Sequence, residues 1–487
     1  MSDQPTGEVK NTFHRFFKNP NFVRIMEKYL NSDDKTKFNR IKKCSKLVFD
    51  NYPKKITLVS RLDKDSISAL KKIGKIKKID LDNCNYVSTL FEVLDSSAVD
   101  DMKITGTQPC DFTSIKKLKD LKNLEIKNSR FDLSFISILK KLENLAINSL
   151  LEKPEVLTNC SFQQLKKLDL TGSKCQSIEF LTRCKFPQLK QLLLSRNDLE
   201  NITPLGNCSF PELIKLDLSE NEIGKLDSLE GVNAPKLEEL NFSENSLNDI
   251  SKLSNCKFEN LQILDLRANQ IEDINSLKNS NFPKLINIYL GENKISSISC
   301  LKGCNFPELS FLYLSYNSIT DMNILSECSQ FQKLNELYIT GNKLSNVDFL
   351  TKVNFPKLTK LYLSDNKIND IGPFEFFNFP ELKEISLCKN EIEDITVLSS
   401  CKKFENLTLL DIGHNRIKNI EILKSCDFKF LKELRIDGNY NIILKPLEEC
   451  NFPELKILKT DGIKINNKAL ISKFEDKNVI IEGKNVN

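Results

Sequence analysis

The sequence predicts an α/β solenoid in which each repeat adds one short strand to a parallel sheet, with a helical cap at the N-terminus. Two observations predict this fold class. The pattern L-x-x-L-x-L-x-x-N-x-I runs from Leu358 to Ile368 and returns along most of the chain. Self-similarity at a fixed period is the signature of stacked supersecondary repeats. The first leucine of the pattern recurs every 24 residues, with two intervals of 25, at positions 165, 189, 213, 237, 261, 285, 309, 334, 358, 382, 407, 431 and 455.

The second observation is the asparagine at the ninth position of the pattern. An amide side chain offers two donors and one acceptor, so we expect it to satisfy backbone groups in the turns of its own coil and the neighbouring coil. The leucines at the fourth and sixth positions alternate with polar residues and should point inward from a strand. The asparagine series is unbroken over eleven repeats: Asn197, Asn221, Asn245, Asn269, Asn293, Asn317, Asn342, Asn366, Asn390, Asn415 and Asn439.

The segment that returns to the next strand also repeats. An aspartate in it, as in Asp249, Asp273, Asp321, Asp370 and Asp394, is expected to cap a short helical turn. Phenylalanine then stands three residues before the next leucine, which favours a buried aromatic spine. Only Ala234 interrupts the twelve rings, which are Phe162, Phe186, Phe210, Phe258, Phe282, Phe306, Phe331, Phe355, Phe379, Phe404, Phe428 and Phe452.

Nine of the fifteen cysteines follow the same period. A thiol in phase with the core leucines is most simply a small buried hydrophobe, and no C-x-x-C spacing favours a metal site. We therefore predict neither a disulfide ladder nor a bound metal. These cysteines are Cys160, Cys184, Cys208, Cys256, Cys304, Cys328, Cys401, Cys426 and Cys450.

Four regions follow from the pattern. Residues 1–52 lack the repeat, 53–164 carry irregular repeats, 165–454 carry regular ones, and 455–487 form a C-terminal cap with a short helix and a final strand. The irregular repeats are spaced by 21 to 23 residues and lack the asparagine. Their strands are marked by the pairs Ile56/Leu58, Ile79/Leu81, Met102/Ile104, Leu124/Ile126 and Leu145/Ile147.

Residues 1–52 predict two or three short helices. Several of their residues resemble the F-box motif, namely Pro20, Tyr29, Leu30, Asp34, Ile41, Cys44, Ser45 and Lys46. That resemblance implies docking to a Skp-type linker protein. Asn19 stands where the motif usually has leucine, and Lys35 replaces an apolar residue. A plain helical cap on the solenoid is the alternative, since terminal repeats must be atypical.

Residues 53–487, about nine-tenths of the chain, resemble leucine-rich repeat proteins with eighteen units. The return segment I-x-D-I-x-x-L is most similar to the intracellular type of the protein phosphatase-1 regulator subfamily. The resemblance implies a right-handed, curved, horseshoe-shaped solenoid with its parallel sheet on the concave face. This architecture serves many partners, so a function does not follow from it.

Composition narrows the class of protein. No leader-like segment opens the sequence, and no run approaches the roughly 18 apolar residues of a membrane span. We therefore expect an intracellular protein, cytoplasmic or alternatively nuclear, with no membrane partner. Residues 1–80 hold 20 Lys and Arg against 9 Asp and Glu, a balance of +11, while the rest balances at −6. The basic end is either a surface for an acidic partner or a solvated face.

Catalytic motifs are missing from the sequence. It has two histidines, His14 and His414, and no phosphate-binding loop, H-E-x-x-H or G-x-S-x-G motif. We therefore expect no enzyme and no cofactor. His414 is interpreted as an exposed contact residue on the rim of the concave face.

The predicted binding site lies at the fifth position of the pattern, where side chains point outward from the sheet. Four consecutive repeats place Tyr289, Tyr313, Tyr338 and Tyr362 there, and Phe311 and Tyr316 flank Tyr313. Their hydroxyls are expected to face solvent. Tyrosine is enriched at interface hot spots, so this concentration favours a partner-binding surface over a general preference of aromatics for strands.

These features predict a non-enzymatic protein that binds a protein or peptide partner on its concave face. One alternative is an F-box-type substrate adaptor of a cullin-RING ubiquitin ligase, with the Skp-type linker at residues 1–52. A second alternative is a regulatory subunit of a protein phosphatase. Nucleic acid is disfavoured as a partner, because the fifth-position residues form no basic stripe.

Overall fold

The computed structural model of the protein describes residues 55–59, 77–82, 99–106, 118–128, 132–400, 404–440, 442–463 and 468–483. The predicted N-terminal helices and the F-box-like segment lie outside these residues. The chain divides into two compact units, one of Met1–Leu199 with Asn207–Asp217 and the other of Glu200–Gly206 with Leu218–Asn487.

In the described part of the first unit there are eight strands, each paired in parallel with the next along the chain. The five irregular strands lie at the predicted apolar pairs. A strand in this fold needs only an apolar residue pointing inward at every second position, and each pair supplies two. The strands are β1 (Lys55–Val59), β2 (Lys78–Asp82), β3 (Asp101–Thr105), β4 (Asn123–Lys127), β5 (Asn144–Asn148), β6 (Lys167–Asp169), β7 (Gln191–Leu193) and β8 (Lys215–Asp217).

The second unit continues the same plan with parallel, in-register strands from β9 to β19. Helix α2 (Lys468–Asp476) and the last strand lie where the sequence predicts a short helix and a final strand. The strands are β9 (Glu239–Asn241), β10 (Ile263–Asp265), β11 (Asn287–Tyr289), β12 (Phe311–Tyr313), β13 (Glu336–Tyr338), β14 (Lys360–Tyr362), β15 (Glu384–Ser386), β16 (Leu409–Asp411), β17 (Glu433–Arg435), β18 (Ile457–Lys459) and β19 (Ile480–Glu482).

The return segments are single turns of helix. Each predicted aspartate accepts a hydrogen bond from the backbone N–H two residues later, as in Ser251 to Asp249 at 2.7 Å. Among the described turns one is α-helical, α1 (Val397–Ser400). The others are 3₁₀ helices: Ser134–Ile138, Pro154–Asn159, Glu179–Arg183, Thr203–Asn207, Leu229–Gly231, Ser251–Asn255, Asn275–Asn279, Ser299–Gly303, Asn323–Glu327, Asp348–Thr351, Gly372–Glu375, Glu421–Ser425 and Lys445–Glu448.

The asparagines make the hydrogen bonds predicted for them. Asn293 Nδ2 donates to the carbonyls of Leu290 and Gly291 in its own turn and to that of Leu266 in the preceding turn, at 2.9 to 3.1 Å. Its Oδ1 accepts from the N–H of Ile271 at 3.0 Å. The Asn293 amide thus joins two coils and satisfies four backbone groups that the turn would otherwise bury unpaired.

The core of each unit lies between the strands and the return segments. The phenylalanines of the spine are buried, and some neighbouring rings stack, as do Phe162 and Phe186 at 5.4 Å between centroids. Phe355 and Phe379 repeat the arrangement at 6.5 Å. The predicted aromatic spine is therefore present in the described repeats, and its rings contribute buried apolar area.

The phased cysteines that the structure describes are free thiols, five of them buried and three half-buried. Most donate a weak hydrogen bond to the carbonyl four residues earlier, as Cys256 does to Lys252 at 3.4 Å. Burial raises the pKa of Cys256 and of Cys328 to about 12. They act as small core residues, as the sequence predicts. Cys401 lies outside the described residues.

Candidate functional site

The four predicted tyrosines lie side by side on the face of the sheet that points away from the core. Each is the third residue of its strand, and the register pairs Tyr289 with Tyr313, Tyr313 with Tyr338, and Tyr338 with Tyr362. The residue before each tyrosine is a fully buried leucine or isoleucine. Alternation along a strand therefore directs the tyrosines outward, as the pattern predicts.

Phe311 joins these tyrosines into one continuous cluster. As the first residue of β12, it shares their face, and its ring lies 4.8 Å from that of Tyr289 and 5.1 Å from that of Tyr338. Tyr338 and Tyr362 stack at 4.7 Å with an interplanar angle of 9°. We call the five rings of Tyr289, Phe311, Tyr313, Tyr338 and Tyr362 the aromatic surface. All five are half-buried, so each keeps an accessible part.

One glycine makes room for the cluster. A Cβ built on Gly291 would overlap the ring of Tyr313, so the ring lies directly against the glycine backbone. Tyr313 can lie flat here only because Gly291 has no side chain. Other repeats commonly have serine at this position, as at Ser315 and Ser364.

Tyr316 is placed differently from the other predicted site residues. It lies in the turn after β12, with a left-handed backbone at φ 58° and half of its surface exposed. Its ring covers Gly341, at which a Cβ would overlap it. Among the described residues it makes no ring pair with the aromatic surface. It therefore belongs to the rim and not to the cluster.

The expectation that the hydroxyls face solvent is wrong for two tyrosines. The Tyr338 hydroxyl donates to Glu336 Oε2 at 2.8 Å, and the Tyr362 hydroxyl donates to Glu384 Oε2. Burial, followed by the hydrogen bond to the carboxylate, holds the pKa of both tyrosines well above the usual range. These hydroxyls keep their protons throughout the physiological pH range.

The opposite end of the aromatic surface carries an arginine. The Arg267 guanidinium lies 4.8 Å from the centroid of Tyr289 and pairs with both oxygens of Asp265. The hydrogen bonds to Asp265 raise the pKa of Arg267. This fixed cation covers one part of the Tyr289 ring by a cation–π contact.

Three of these neighbours are not predicted from the sequence as part of the site: Arg267, Glu336 and Glu384. A signal for Glu336 was available, because it stands two residues before Tyr338 and must share its face of the strand. Arg267 and Glu384 lie in different repeats from the tyrosines they contact. Only the register of neighbouring strands brings those pairs together.

His414 lies on the rim, as expected, with 45% of its side chain exposed. Its Nε2 is 3.1 Å from Oδ2 of the nearly buried Asp437, so the ring is held in place. Across the described residues, no group of three or more His, Cys, Asp or Glu side chains could hold a metal ion. In the same part of the chain, no helix is long and apolar enough to cross a membrane.

The repeats and their asparagine turns define a class of protein. Residues 259–319, 332–392 and 356–417 match the leucine-rich repeat family model, and residues 235–279 match a model for two copies of the repeat. The matched segments of the chain are therefore leucine-rich repeats. No curated protein matches its sequence.

Solved structures share the fold at low sequence identity. A leucine-rich repeat protein of Leptospira interrogans is 18% identical with a TM-score of 0.55, over 93% of this chain and 99% of that one. The plant peptide hormone receptor RGFR1, in complex with RGF2, is 17% identical with a TM-score of 0.50, over 88% and 89%. The TLR13–ssRNA13 complex is 18% identical with a TM-score of 0.59, over 89% and 72%.

Proposed function

We propose that this protein binds a protein or peptide partner through the aromatic surface. The observation that carries the proposal is the cluster itself, five rings in mutual contact on the outward face of neighbouring strands. Tyrosine supplies rigid contact area at low entropic cost and is enriched at interface hot spots. Exposing so many apolar rings to water is unfavourable unless a partner covers them.

The class of partner is supported by the architecture. Leucine-rich repeats typically form non-enzymatic scaffolds for interactions between proteins, and RGFR1 with RGF2 is a receptor–peptide complex of this fold. The carboxylates of Glu336 and Glu384 beside the rings disfavour a polyanion such as RNA at this position. A protein or peptide with an apolar centre fits the aromatic surface better.

The test begins with affinity capture of partners by the full chain and their identification by mass spectrometry. Tyr313→Ala combined with Tyr338→Ala should weaken the binding of the captured partner by about 2–4 kcal/mol, because both rings are central to the cluster. Isothermal titration with the purified partner measures the loss.

A matched control removes two exposed rings elsewhere. Phe376 and Phe430 are 67% and 51% exposed and lie outside the strands. Phe376→Ala with Phe430→Ala should leave the affinity unchanged. If the tyrosine pair can be removed without loss of affinity while the protein stays folded, the aromatic surface is not the binding site.

Two narrower functions remain predictions from the sequence. The F-box-like segment suggests an adaptor of a cullin-RING ubiquitin ligase, and it predicts that the full chain captures a Skp-type protein and that Pro20→Ala with Tyr29→Ala abolishes the capture. The repeat type suggests a regulatory subunit of a protein phosphatase, which predicts co-purification with a phosphatase catalytic subunit. A cytoplasmic location, or a nuclear one, is likewise a proposal.

A further inference from the structure

The two ends of the aromatic surface differ in charge. At the Tyr289 end, the protein supplies its own cation, because Arg267 lies over the ring and is fixed by Asp265 through bonds of 2.6 to 3.1 Å. Both oxygens of Asp265 are used by this arginine. Arg267 would repel a second cation there. It would attract an anion only weakly, because its charge is already paired with Asp265.

At the Tyr362 end, the charges do not balance. Glu336, Lys360 and Glu384 occupy the same register position on three consecutive strands. Lys360 Nζ lies 3.3 Å from Glu336 Oε1, and Glu384 has no ion pair among the described residues. At this register position one ammonium group therefore stands between two carboxylates, and no ion pair within the described part of the chain balances the second one.

The repeats themselves provide the comparison. Asp265 is paired with the arginine two residues later, and so is Glu433, whose Oε1 lies 2.6 Å from Arg435 Nε. Two residues after Glu384 the chain has Ser386, which instead donates to Asp411 at 3.0 Å. Glu384 is thus a carboxylate at the strand position where the β17 repeat supplies an arginine from the same strand.

The rings beside Glu384 are also open to a cation. Tyr338 and Tyr362 are stacked and half-buried, and no lysine or arginine of the described residues lies over either ring. The Tyr362 hydroxyl holds the Glu384 carboxylate against the ring edge. A ring face next to a fixed carboxylate attracts a guanidinium or ammonium group by cation–π attraction and an ion pair together.

We propose that the partner segment places an arginine or lysine side chain between Glu384 and the stacked rings of Tyr338 and Tyr362, with an apolar residue of the same segment against Phe311 and Tyr313. This inference rests on the proposed function and adds the chemistry and the direction of the ligand. The basic residue lies toward β15 and the apolar residue toward β12, because Arg267 repels a cation at the other end.

The experiment uses a random dodecamer peptide library displayed on phage and the full-length protein as bait. Sequences recovered with the wild type should be enriched in a basic residue within a few positions of an aromatic or aliphatic one. Synthetic copies of the recovered peptides should bind the Glu384→Lys variant at least about tenfold more weakly than the wild type. The reason is that the attraction between Glu384 and the basic residue of the peptide becomes a repulsion between two cations. Glu384→Gln should cause a smaller loss, and added salt should weaken binding to the wild type.

The matched control is Glu381→Lys, which makes the same charge change at an exposed position in the same repeat, outside β15. Peptides without basic enrichment, or an affinity that Glu384→Lys leaves unchanged, would overturn the inference. If those peptides still lose affinity in the Tyr313→Ala, Tyr338→Ala variant, the proposed function stands. If no common peptide is recovered, or if the recovered peptides bind that variant as tightly as the wild type, the inference and the proposed function are both contradicted.

Discussion

At the scale of the residue, the aromatic surface depends on side chains that are not themselves aromatic. The hydroxyls of Tyr338 and Tyr362 are oriented by Glu336 and Glu384, and Arg267 covers part of Tyr289. Gly291 leaves the space in which the ring of Tyr313 lies. The rings are therefore fixed before a ligand arrives, and fixed rings lose less entropy on binding.

Gly291→Ala tests this preorganisation. The added methyl group must displace Tyr313 and also meets the Ser315 carbonyl oxygen at 2.9 Å, so partner affinity should fall about tenfold and stability should fall as well. Calorimetric titration and thermal unfolding measure the two effects. Gly224→Ala is the control, since a Cβ there meets no atom within 4 Å. Unchanged affinity in Gly291→Ala would mean that Tyr313 does not need its present position.

At the scale of the element, each turn after a strand is stabilised by its asparagine rather than by a long helix. Asn342 Nδ2 donates to the carbonyls of Leu314, Ile339 and Thr340 at 3.0 to 3.3 Å. Its Oδ1 accepts from the N–H of Ile319 at 3.0 Å. The side chain is 7% exposed, so water does not replace these bonds when they are lost.

Asn342→Ala should therefore lower the free energy of unfolding by about 2–4 kcal/mol, the penalty for leaving buried backbone groups unpaired. Urea unfolding followed by circular dichroism gives the value. Asn279→Ala, at an exposed position on a 3₁₀ turn, should change stability by less than about 0.5 kcal/mol. Equal effects of the two substitutions would show that the asparagine amide does not hold the turn.

At the scale of the whole molecule, stability is spread over many repeats, each packed on its neighbours. Buried titratable groups, above all the cysteine thiols, are also distributed over many repeats. Burial raises the pKa of Cys160, Cys184 and Cys426 to about 12, and that of Cys208 and Cys450 to about 11. The pKa values of Tyr338 and Tyr362 are also raised. The thiols and these two hydroxyls therefore keep their protons to a higher pH in the native state than in the unfolded chain.

This predicts sensitivity to alkali. An unfolded cysteine loses its proton near pH 8.5, whereas the buried thiols keep theirs until about pH 11 to 12. Within that window the unfolded chain binds fewer protons, so the free energy of unfolding falls as pH rises. The urea midpoint should be lower at pH 10 than at pH 8, and a thiol reagent should label the native protein slowly at pH 8. A midpoint that stays constant to pH 10 would contradict the burial of the thiols.

The sequence by itself determined the repeat, the strands, the asparagine turns and the aromatic spine. It could do so because contacts in this fold join residues one repeat apart, and a fixed period of 24 or 25 residues records those contacts directly. It also placed Tyr289, Tyr313, Tyr338 and Tyr362 on one face, since the strand period of two decides which side each residue takes.

Tertiary structure alone decided how those residues meet. The period places Tyr316 beside Tyr313 in the sequence, but the left-handed turn at φ 58° carries its ring over Gly341 and away from the cluster. The repeat period does not predict that the Tyr362 hydroxyl donates a hydrogen bond to Glu384 or that Arg267 lies over the ring of Tyr289. These contacts depend on side-chain rotamers and on the register between strands. A repeat fixes the position of each Cα, whereas the direction of a long side chain is set by the packing of its neighbours.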